Sequence, residues 1–232
     1  PGVDIINASD IVDGRYLYLS GAFTGTIDFN WNAGTANHTA VSAADCFVMK
    51  IDTALNFKWV KPFGGTDNEY GRKLIFRDSV LINSGVFYQN IDLDPNSSST
   101  AMYSSNGGKD SFVQMLDTTG NLLWAKTFGG TGNEEVFRMG ISANNELLLS
   151  GYYENTVDFD PSSTSDYLLT SNGYRDGFVL KLNLNGDFLN AASFGSSHPT
   201  GTEDIVVPSR QKSSDIIIGG SFFNTIDINP ST

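Results

Sequence analysis

Acidic side chains recur at two kinds of position along the chain, and oxygen-rich clusters of this type could hold a metal ion. An Asp-x-Asp or Asp-x-Asn motif occurs four times, with carboxylates at Asp28, Asp92, Asp94, Asp158, Asp160 and Asp227. Ca²⁺ takes carboxylate oxygens as ligands, so these residues are candidate Ca²⁺ ligands, although their spacing is not that of an EF-hand. The alternative interpretation is that each aspartate hydrogen-bonds a turn, which a following proline fixes in three of the four copies.

The second acidic position follows a pair of glycines. Asn68 and Glu69 come shortly after one Phe-Gly-Gly sequence, and Asn133 and Glu134 come after the next. Together with Glu203, these glutamates are candidates for the two carboxyl groups with separated pKa values that a polysaccharide-acting hydrolase or lyase would need. Their repetition instead favours a structural role. The glycine pair does not predict a phosphate-binding loop, because neither Lys-Ser/Thr nor a helix follows it.

The remaining nucleophiles and bases do not form a catalytic set. Cys46 occupies the repeat position of Ser111 and Gly177, which predicts a packed thiol rather than a nucleophile. The two histidines, His38 and His198, stand at non-equivalent points, so the sequence predicts neither a Ser-His-Asp triad nor a histidine metal site. We therefore expect that the protein is not an enzyme. We also expect that it has no cofactor, with Ca²⁺ at the acidic motifs as the one exception.

Charge and hydropathy narrow the classes of partner. The chain has 14 basic and 26 acidic residues, a net charge of −12, which argues against a nucleic-acid partner. Its apolar runs are far shorter than the ~20 residues that a membrane helix needs, so no membrane span is expected. The chain begins at Pro1 rather than Met, which predicts that it was processed or cut from something longer.

The acidic candidate residues are positioned by strands and turns that belong to a tandem repeat. Phe63, Phe128 and Phe194 each precede a glycine, and they are 65 and 66 residues apart. Within every unit, a serine or glycine in the second predicted strand lies eight residues before the aspartate of the Asp-x-Asp motif. Such a fixed register is typical of one supersecondary block copied in tandem.

Period-two alternation predicts four strands in each complete unit. The predicted strands are 3–9, 16–29, 46–52 and 57–61, then 72–76, 80–92, 111–117 and 122–127, then 135–141, 146–158, 177–183 and 188–193, and finally 204–207 and 215–227. Four short antiparallel strands cannot bury both of their faces alone, whereas radial stacking of such sheets buries both. The predicted fold is therefore an all-β propeller fragment with about 65 residues per blade.

The predicted blades are 1–64, 65–129 and 130–195, and 196–232 forms the first half of a fourth. All of them would belong to one propeller domain. Propellers close with about four to eight blades. We therefore expect the rest of the ring to come from a longer chain or from another chain.

Five motifs resemble the bacterial SBBP β-propeller repeat, and together they extend the resemblance over nearly the whole chain. They are Gly120–Lys126, Phe128–Glu134, Leu149–Tyr153, Val157–Pro161 and Asp176–Leu182. The resemblance implies a secreted or cell-surface bacterial protein, often cargo of type IX secretion, and it brings no general catalytic motif. The third unit departs from the pattern, since Asn190 replaces the tryptophan at 124.

Topology predicts where binding would occur. In a four-stranded up-and-down blade, the loop between the second and third strands lies on the same face as the crossing to the next blade. This long-loop face contains the loops 95–109 and 161–175, and its candidate binding residues are Asn68, Glu69, Tyr103, Asn133, Glu134 and Tyr174. Long loops on a rigid scaffold commonly carry binding sites. We therefore predict a scaffold or adhesion module that binds a protein or glycan partner, or an ion, through this face.

Overall fold

The computed structural model describes residues 4–195, 200–206 and 217–222, and every regular element in these ranges is a β-strand. The strands are β1 (Ile5–Val12), β2 (Tyr16–Phe23), β3 (Thr26–Asp28), β4 (Asn37–Thr39), β5 (Asp45–Asp52), β6 (Phe57–Phe63), β7 (Tyr70–Arg77), β8 (Val80–Phe87), β9 (Asn90–Asp92), β10 (Met102–Ser104), β11 (Asp110–Asp117), β12 (Leu122–Phe128), β13 (Glu135–Ile141), β14 (Glu146–Tyr153), β15 (Thr156–Asp158), β16 (Leu168–Thr170), β17 (Asp176–Asn183), β18 (Phe188–Phe194), β19 (Thr200–Val206) and β20 (Ile217–Phe222). The predicted all-β class is confirmed.

The larger sheets share one topology. Their strand orders are β1-β2-β5-β6, β7-β8-β11-β12 and β13-β14-β17-β18, so each sheet has four antiparallel strands that follow chain order apart from an inserted hairpin. Strands β19 and β20 form a further antiparallel pair. The predicted four-stranded units are therefore confirmed.

Each inserted hairpin divides a stretch that the sequence predicts to be one strand. The predicted strands 16–29, 80–92 and 146–158 each form two strands, separated by a residue with left-handed backbone angles. That residue is Gly25, Gln89 or Asn155, with φ between 54° and 63°. The chain turns there, and β3, β9 and β15 pair with β4, β10 and β16. The long loops therefore contain short hairpins, which period-two alternation does not reveal.

A β-bulge recurs in the first strand of every unit. The bulged residues are Asn7, Arg72, Phe137 and Glu203, which follow the period of the repeat. The second strand places a glycine beside the bulge, and a β-carbon on Gly151 would lie 1.7 Å from the carbonyl oxygen of Glu135. Only glycine permits this approach. The same register gives Glu203 the position of Arg72 and Phe137, not that of Glu69 and Glu134.

The chain folds into two compact units. The first comprises residues 4–104 and 112–125, and the second comprises 105–111 and the described part of 126–232. In the first unit Trp59 packs against the core, with its ring 6.0 Å from that of Tyr18. In the second unit Phe159 packs between Tyr153 and Phe178, with ring centroids 5.4 and 4.9 Å apart. Aromatic packing of this kind supplies much of the buried apolar area.

Candidate functional site

The aspartate that begins the third strand of each sheet packs against the first glycine of the Phe-Gly motif. Asp45 is buried, and its Oδ2 accepts the N–H of Val41 at 3.0 Å. A β-carbon on Gly64 would lie 2.6 Å from Asp45 Cγ. Asp110 repeats the arrangement, because its Oδ2 accepts the N–H of Asn106 at 2.9 Å. The buried carboxyl group therefore explains why this position is glycine, because any larger residue would clash with it.

The glutamates of the two Asn-Glu pairs are also buried. Glu69 Oε2 accepts the N–H of Gly65 at 3.0 Å, and Glu134 Oε2 accepts the N–H of Gly130 at 2.9 Å. Both side chains are 0% exposed. Each carboxyl group thus closes the five-residue loop that leads from the glycine pair into the next sheet. The structure places these two candidate residues inside the protein, away from any binding surface.

Each junction brings an aspartate and a glutamate near one another in a poorly solvated place. Burial raises the pKa of Glu134 to about 8, against the lowering effect of the Gly130 N–H, and the Asp110 carboxylate raises it further. Burial likewise raises the pKa of Asp110 to about 6. In the first unit, burial raises the pKa of Asp45 as well, and it raises the pKa of Glu69 to about 8. Neighbouring buried carboxyl groups resist double ionisation, so each junction retains a proton near neutral pH.

One oxygen of each carboxyl group lacks a hydrogen-bond partner. These buried atoms are Asp45 Oδ1, Glu69 Oε1, Asp110 Oδ1 and Glu134 Oε1. A retained proton makes one carboxyl group of each pair neutral, which lowers the cost of enclosing the two groups. The arrangement can hold a proton and fix the loop. It cannot act on a substrate from outside while both carboxyl groups are enclosed.

The Asp-x-Asp motifs lie where the first strand of each short hairpin enters its loop, and their side chains bond the backbone. Asp92 Oδ1 accepts the N–H groups of Asp94 and Ala101 at 3.0 and 2.8 Å. Asp158 Oδ1 does the same with Asp160 and Tyr167 at 3.0 and 2.8 Å. The first copy repeats the pattern, since backbone N–H groups of Ala36 and Asn30 lower the pKa of Asp28. These contacts are those of the turn interpretation.

The second aspartate of the motif holds the hairpin tip. Asp94 accepts the N–H of Asn96 at 2.9 Å and the hydroxyl of Ser99 at 2.6 Å. Asp160 has the equivalent contacts to Ser162 and Ser165. Within the described residues, no group of three or more His, Cys, Asp or Glu side chains is placed to hold a metal ion. Asp227 lies outside those residues, and Ca²⁺ binding stays a prediction.

The other candidate binding residues differ in exposure. Asn68 and Asn133 are partly buried, and the Nδ2 of Asn133 donates to Glu154 Oε2 at 2.8 Å. The hydroxyl of Tyr103 donates to the carbonyl of Ala125 at 2.8 Å, so this side chain supports the hairpin. Tyr174 is 64% exposed. Of the six residues, Tyr174 is therefore the one whose side chain lies largely in solvent.

A cleft of about 490 Å³ lies in the first unit, beside the hairpins. Its lining includes His38, Lys61, Asp94, Asn96 and Thr100. Lys61 Nζ donates to Asn96 Oδ1 at 3.2 Å and so links β6 to the tip of the next hairpin. The cleft is formed by consecutive repeats, which explains why no single motif in the sequence reveals it.

A cluster of cations surrounds one tyrosine in the second unit. Lys109 Nζ forms an ion pair with Glu135 and lies 5.4 Å from the ring centroid of Tyr152. The guanidinium carbon of Arg175 lies 4.6 Å from the same centroid. Burial would lower the pKa of Lys109, but its bonds to Glu135 and Tyr152 outweigh burial and raise it. Sequence reasoning missed this cluster, because its members are far apart in the chain.

Comparison with known proteins assigns no family to this chain. No protein-family model matches it, and a search of curated proteins finds no significant match. In the described ranges, no helix is long and apolar enough to cross a membrane. Function is therefore inferred from the arrangement of the residues described above.

Proposed function

We propose that this chain is a non-catalytic β-propeller module of a secreted or cell-surface bacterial protein, similar to SBBP-repeat proteins. It acts as a scaffold or adhesion surface that binds a protein or glycan partner through the long-loop face. The observation that carries the proposal is the burial of Glu69 and Glu134, which are 0% exposed and bonded to backbone N–H groups. The recurring acidic pairs are thus used for folding, while the hairpins remain available for binding.

The propeller part of the proposal is supported by the repetition of one sheet. Each complete sheet has the same strand order, a bulge in its first strand and a hairpin between its second and third strands. In the first unit, core residues from two consecutive sheets pack together, among them Tyr18 and Val48 from one and Leu81 and Phe112 from the other. Face-to-face burial of this kind is how blades are stabilised. Further blades from a longer chain or a second chain would complete the ring.

The alternative function is that of a propeller in a polysaccharide hydrolase or lyase. The separated pKa values of Asp110 and Glu134, about 6 and about 8, are the observation in its favour. A proton donor and a base with different pKa values are what such chemistry requires. The enclosure of both groups is the observation against it, because a sugar must reach them.

A paired assay separates the two functions. The protein is incubated with a panel of defined polysaccharides, and both retention on the immobilised glycan and release of reducing ends or unsaturated products are measured. We expect retention without product. Product formation that Glu134→Gln abolishes, in a variant with an unchanged circular dichroism spectrum, would establish the enzyme instead.

The binding face is tested by exchanging loops. Residues 161–175 are replaced by a short Gly-Ser turn, and the matched control replaces the tight turn at 118–120, which connects β11 to β12. We expect the first exchange to abolish retention and the second to leave it unchanged. Retention that survives the exchange of 161–175 would contradict the assignment of the binding face.

A further inference from the structure

The cation cluster in the second unit is an exception to the repeat. Its acidic and aromatic members, Glu135 and Tyr152, are direct partners across β13 and β14. The equivalent pair in the preceding repeat is Tyr70 and Val86. Features that recur in a tandem repeat serve the common fold. A feature that interrupts the pattern needs a separate explanation.

Arg175 occupies the repeat position of Lys109, since each directly precedes the aspartate that begins the third sheet strand. Lys109 pairs with Glu135, at the start of the next unit's first strand. The bulge register places Gly201 at the equivalent position in the following unit. Glycine has no carboxyl group, so Arg175 lacks the counterpart that Lys109 has.

Arg175 instead lies over the ring of Tyr152. Among the described residues, no carboxylate lies within 4.0 Å of its guanidinium, and its contact is the ring centroid at 4.6 Å. Tyr152 is 7% exposed, and its ring lies 5.5 Å from that of Phe137, so the platform is held in place. Stacking fixes the plane of a guanidinium but leaves its N–H groups directed outward from the edge. Such a group can donate two parallel hydrogen bonds to a carboxylate.

The local charge also differs from that of the chain. Two cations contact the Tyr152 ring and Lys109 is paired with Glu135, which leaves the charge of Arg175, whereas the whole chain has a net charge of −12. The excess positive charge attracts a single anionic group, while the acidic surroundings repel a polyanion. The expected ligand therefore carries an isolated carboxylate.

We propose that Arg175 binds the carboxylate of an acidic sugar, with Tyr174 beside it to stack on the sugar ring. Tyr174 is the neighbouring residue and is 64% exposed, and the loop before it supplies exposed Asn172 and Gly173. An exposed aromatic ring next to hydrogen-bonding groups suits a sugar better than a simple anion. This inference rests on the proposed binding function and names the ligand class for it.

The test is a titration of the intact chain followed by NMR, with the arginine Nε–Hε signals as the readout. The probes are glucuronate, glucose and acetate, which separate the sugar acid from the sugar and from the carboxylate. The variants are Arg175→Lys and Tyr174→Ala. The matched control is Arg77→Lys, because Arg77 is an exposed arginine that pairs with Asp78.

We expect glucuronate to shift the Arg175 signal and to bind at least about tenfold more tightly than glucose or acetate. Arg175→Lys should weaken glucuronate binding by roughly tenfold or more, because lysine loses both the fork and the stacking. Tyr174→Ala should also weaken it, and Arg77→Lys should leave it unchanged. Equal binding of acetate, unaltered binding by Arg175→Lys, or no binding of glucuronate would each overturn the inference.

The two proposals fail in different ways. If Arg175→Lys leaves glycan retention intact while exchange of 161–175 abolishes it, the arginine site is wrong and the binding face stands. If exchange of 161–175 leaves retention intact, the proposed function fails whatever the titration shows.

Discussion

Gly129 lies so close to Asp110 that a β-carbon on the glycine would be 2.1 Å from the aspartate Cγ. The same contact recurs between Gly64 and Asp45 at 2.6 Å. The first glycine of the repeated motif is thus set by a buried carboxyl group on the adjacent strand. The glycine that directly follows the last strand of the sheet therefore depends on a side chain that lies 19 positions earlier in the sequence.

The contact predicts a coupled effect of substitution. Gly129→Ala should lower the free energy of unfolding by roughly 1–3 kcal/mol, because the added methyl group overpacks a buried site. In an Asp110→Ala background the Cγ and both oxygens are absent, so the same substitution should cost much less. Urea denaturation of the wild type, the two single variants and the double variant gives the coupling energy. Simple addition of the two single effects would show that the clash is not the cause.

The buried glutamates predict that stability falls as the pH rises. Burial raises the pKa of Glu134 from 4.5 to about 8, so between these values the folded state binds a proton that the unfolded state does not. The stabilisation is complete below pH 4.5 and is lost progressively up to about pH 8. Glu69 acts in the same direction over the same window. The loss should be on the order of 5 kcal/mol per glutamate, and chemical denaturation at a series of pH values measures it.

Glu134→Gln serves as the control, because glutamine resembles the protonated acid and does not titrate. Its stability should depend less on pH between 5 and 8 than that of the wild type. Asp117 does not disturb this window: partial burial raises its pKa, but hydrogen bonds from Thr119 and Asn121 lower it to about 2. Its contribution is therefore lost only at pH below 3.8. If the free energy of unfolding of Glu134→Gln falls with pH as steeply as that of the wild type, Glu134 is not the group responsible for the pH dependence.

A buried amide pair in the second sheet predicts a stabilising substitution. Asn83 and Gln114 are 0% exposed, and Asn83 Nδ2 and both polar atoms of Gln114 have no hydrogen-bond partner. The equivalent cross-strand pairs elsewhere are apolar, namely Leu19 with Met49 and Leu149 with Leu180. The double variant Asn83→Leu with Gln114→Met should therefore unfold at a higher temperature, because orphaned buried amides cost about 1–3 kcal/mol each.

Calorimetry of the double variant and of each single variant tests this prediction. Asn83→Leu alone should gain less, since it leaves both unpartnered atoms of Gln114 in place. Both variants lose the acceptor of the Ser20 hydroxyl at 2.7 Å, which reduces the gain in each. A double variant less stable than the wild type would mean that the two amides contribute favourable interactions in the core.

The sequence predicts the sheets well and the hairpins poorly, for a physical reason. Each sheet strand is long and alternates, so its period is visible. The break before β9 depends on Gln89 at φ 54°, and a non-glycine residue gives no signal for left-handed backbone angles. Burial of Glu134 is equally hidden, since glutamate is ordinarily exposed. The only local sign is that the glutamate comes four residues after the glycine whose N–H it accepts.

The ion pair between Lys109 and Glu135 predicts a large cost when one partner is removed. Their side chains are 13% and 11% exposed, so Glu135→Gln leaves a largely buried ammonium group without its carboxylate. The free energy of unfolding should fall by about 3 kcal/mol. Replacing Lys109, Glu135 and Tyr152 together should cost far less, because Lys109→Ala, Glu135→Tyr and Tyr152→Val reproduce the equivalent positions of the preceding repeat. Urea denaturation of the single and triple variants decides the matter: a triple variant as unstable as Glu135→Gln would mean that the cluster is required for the fold itself.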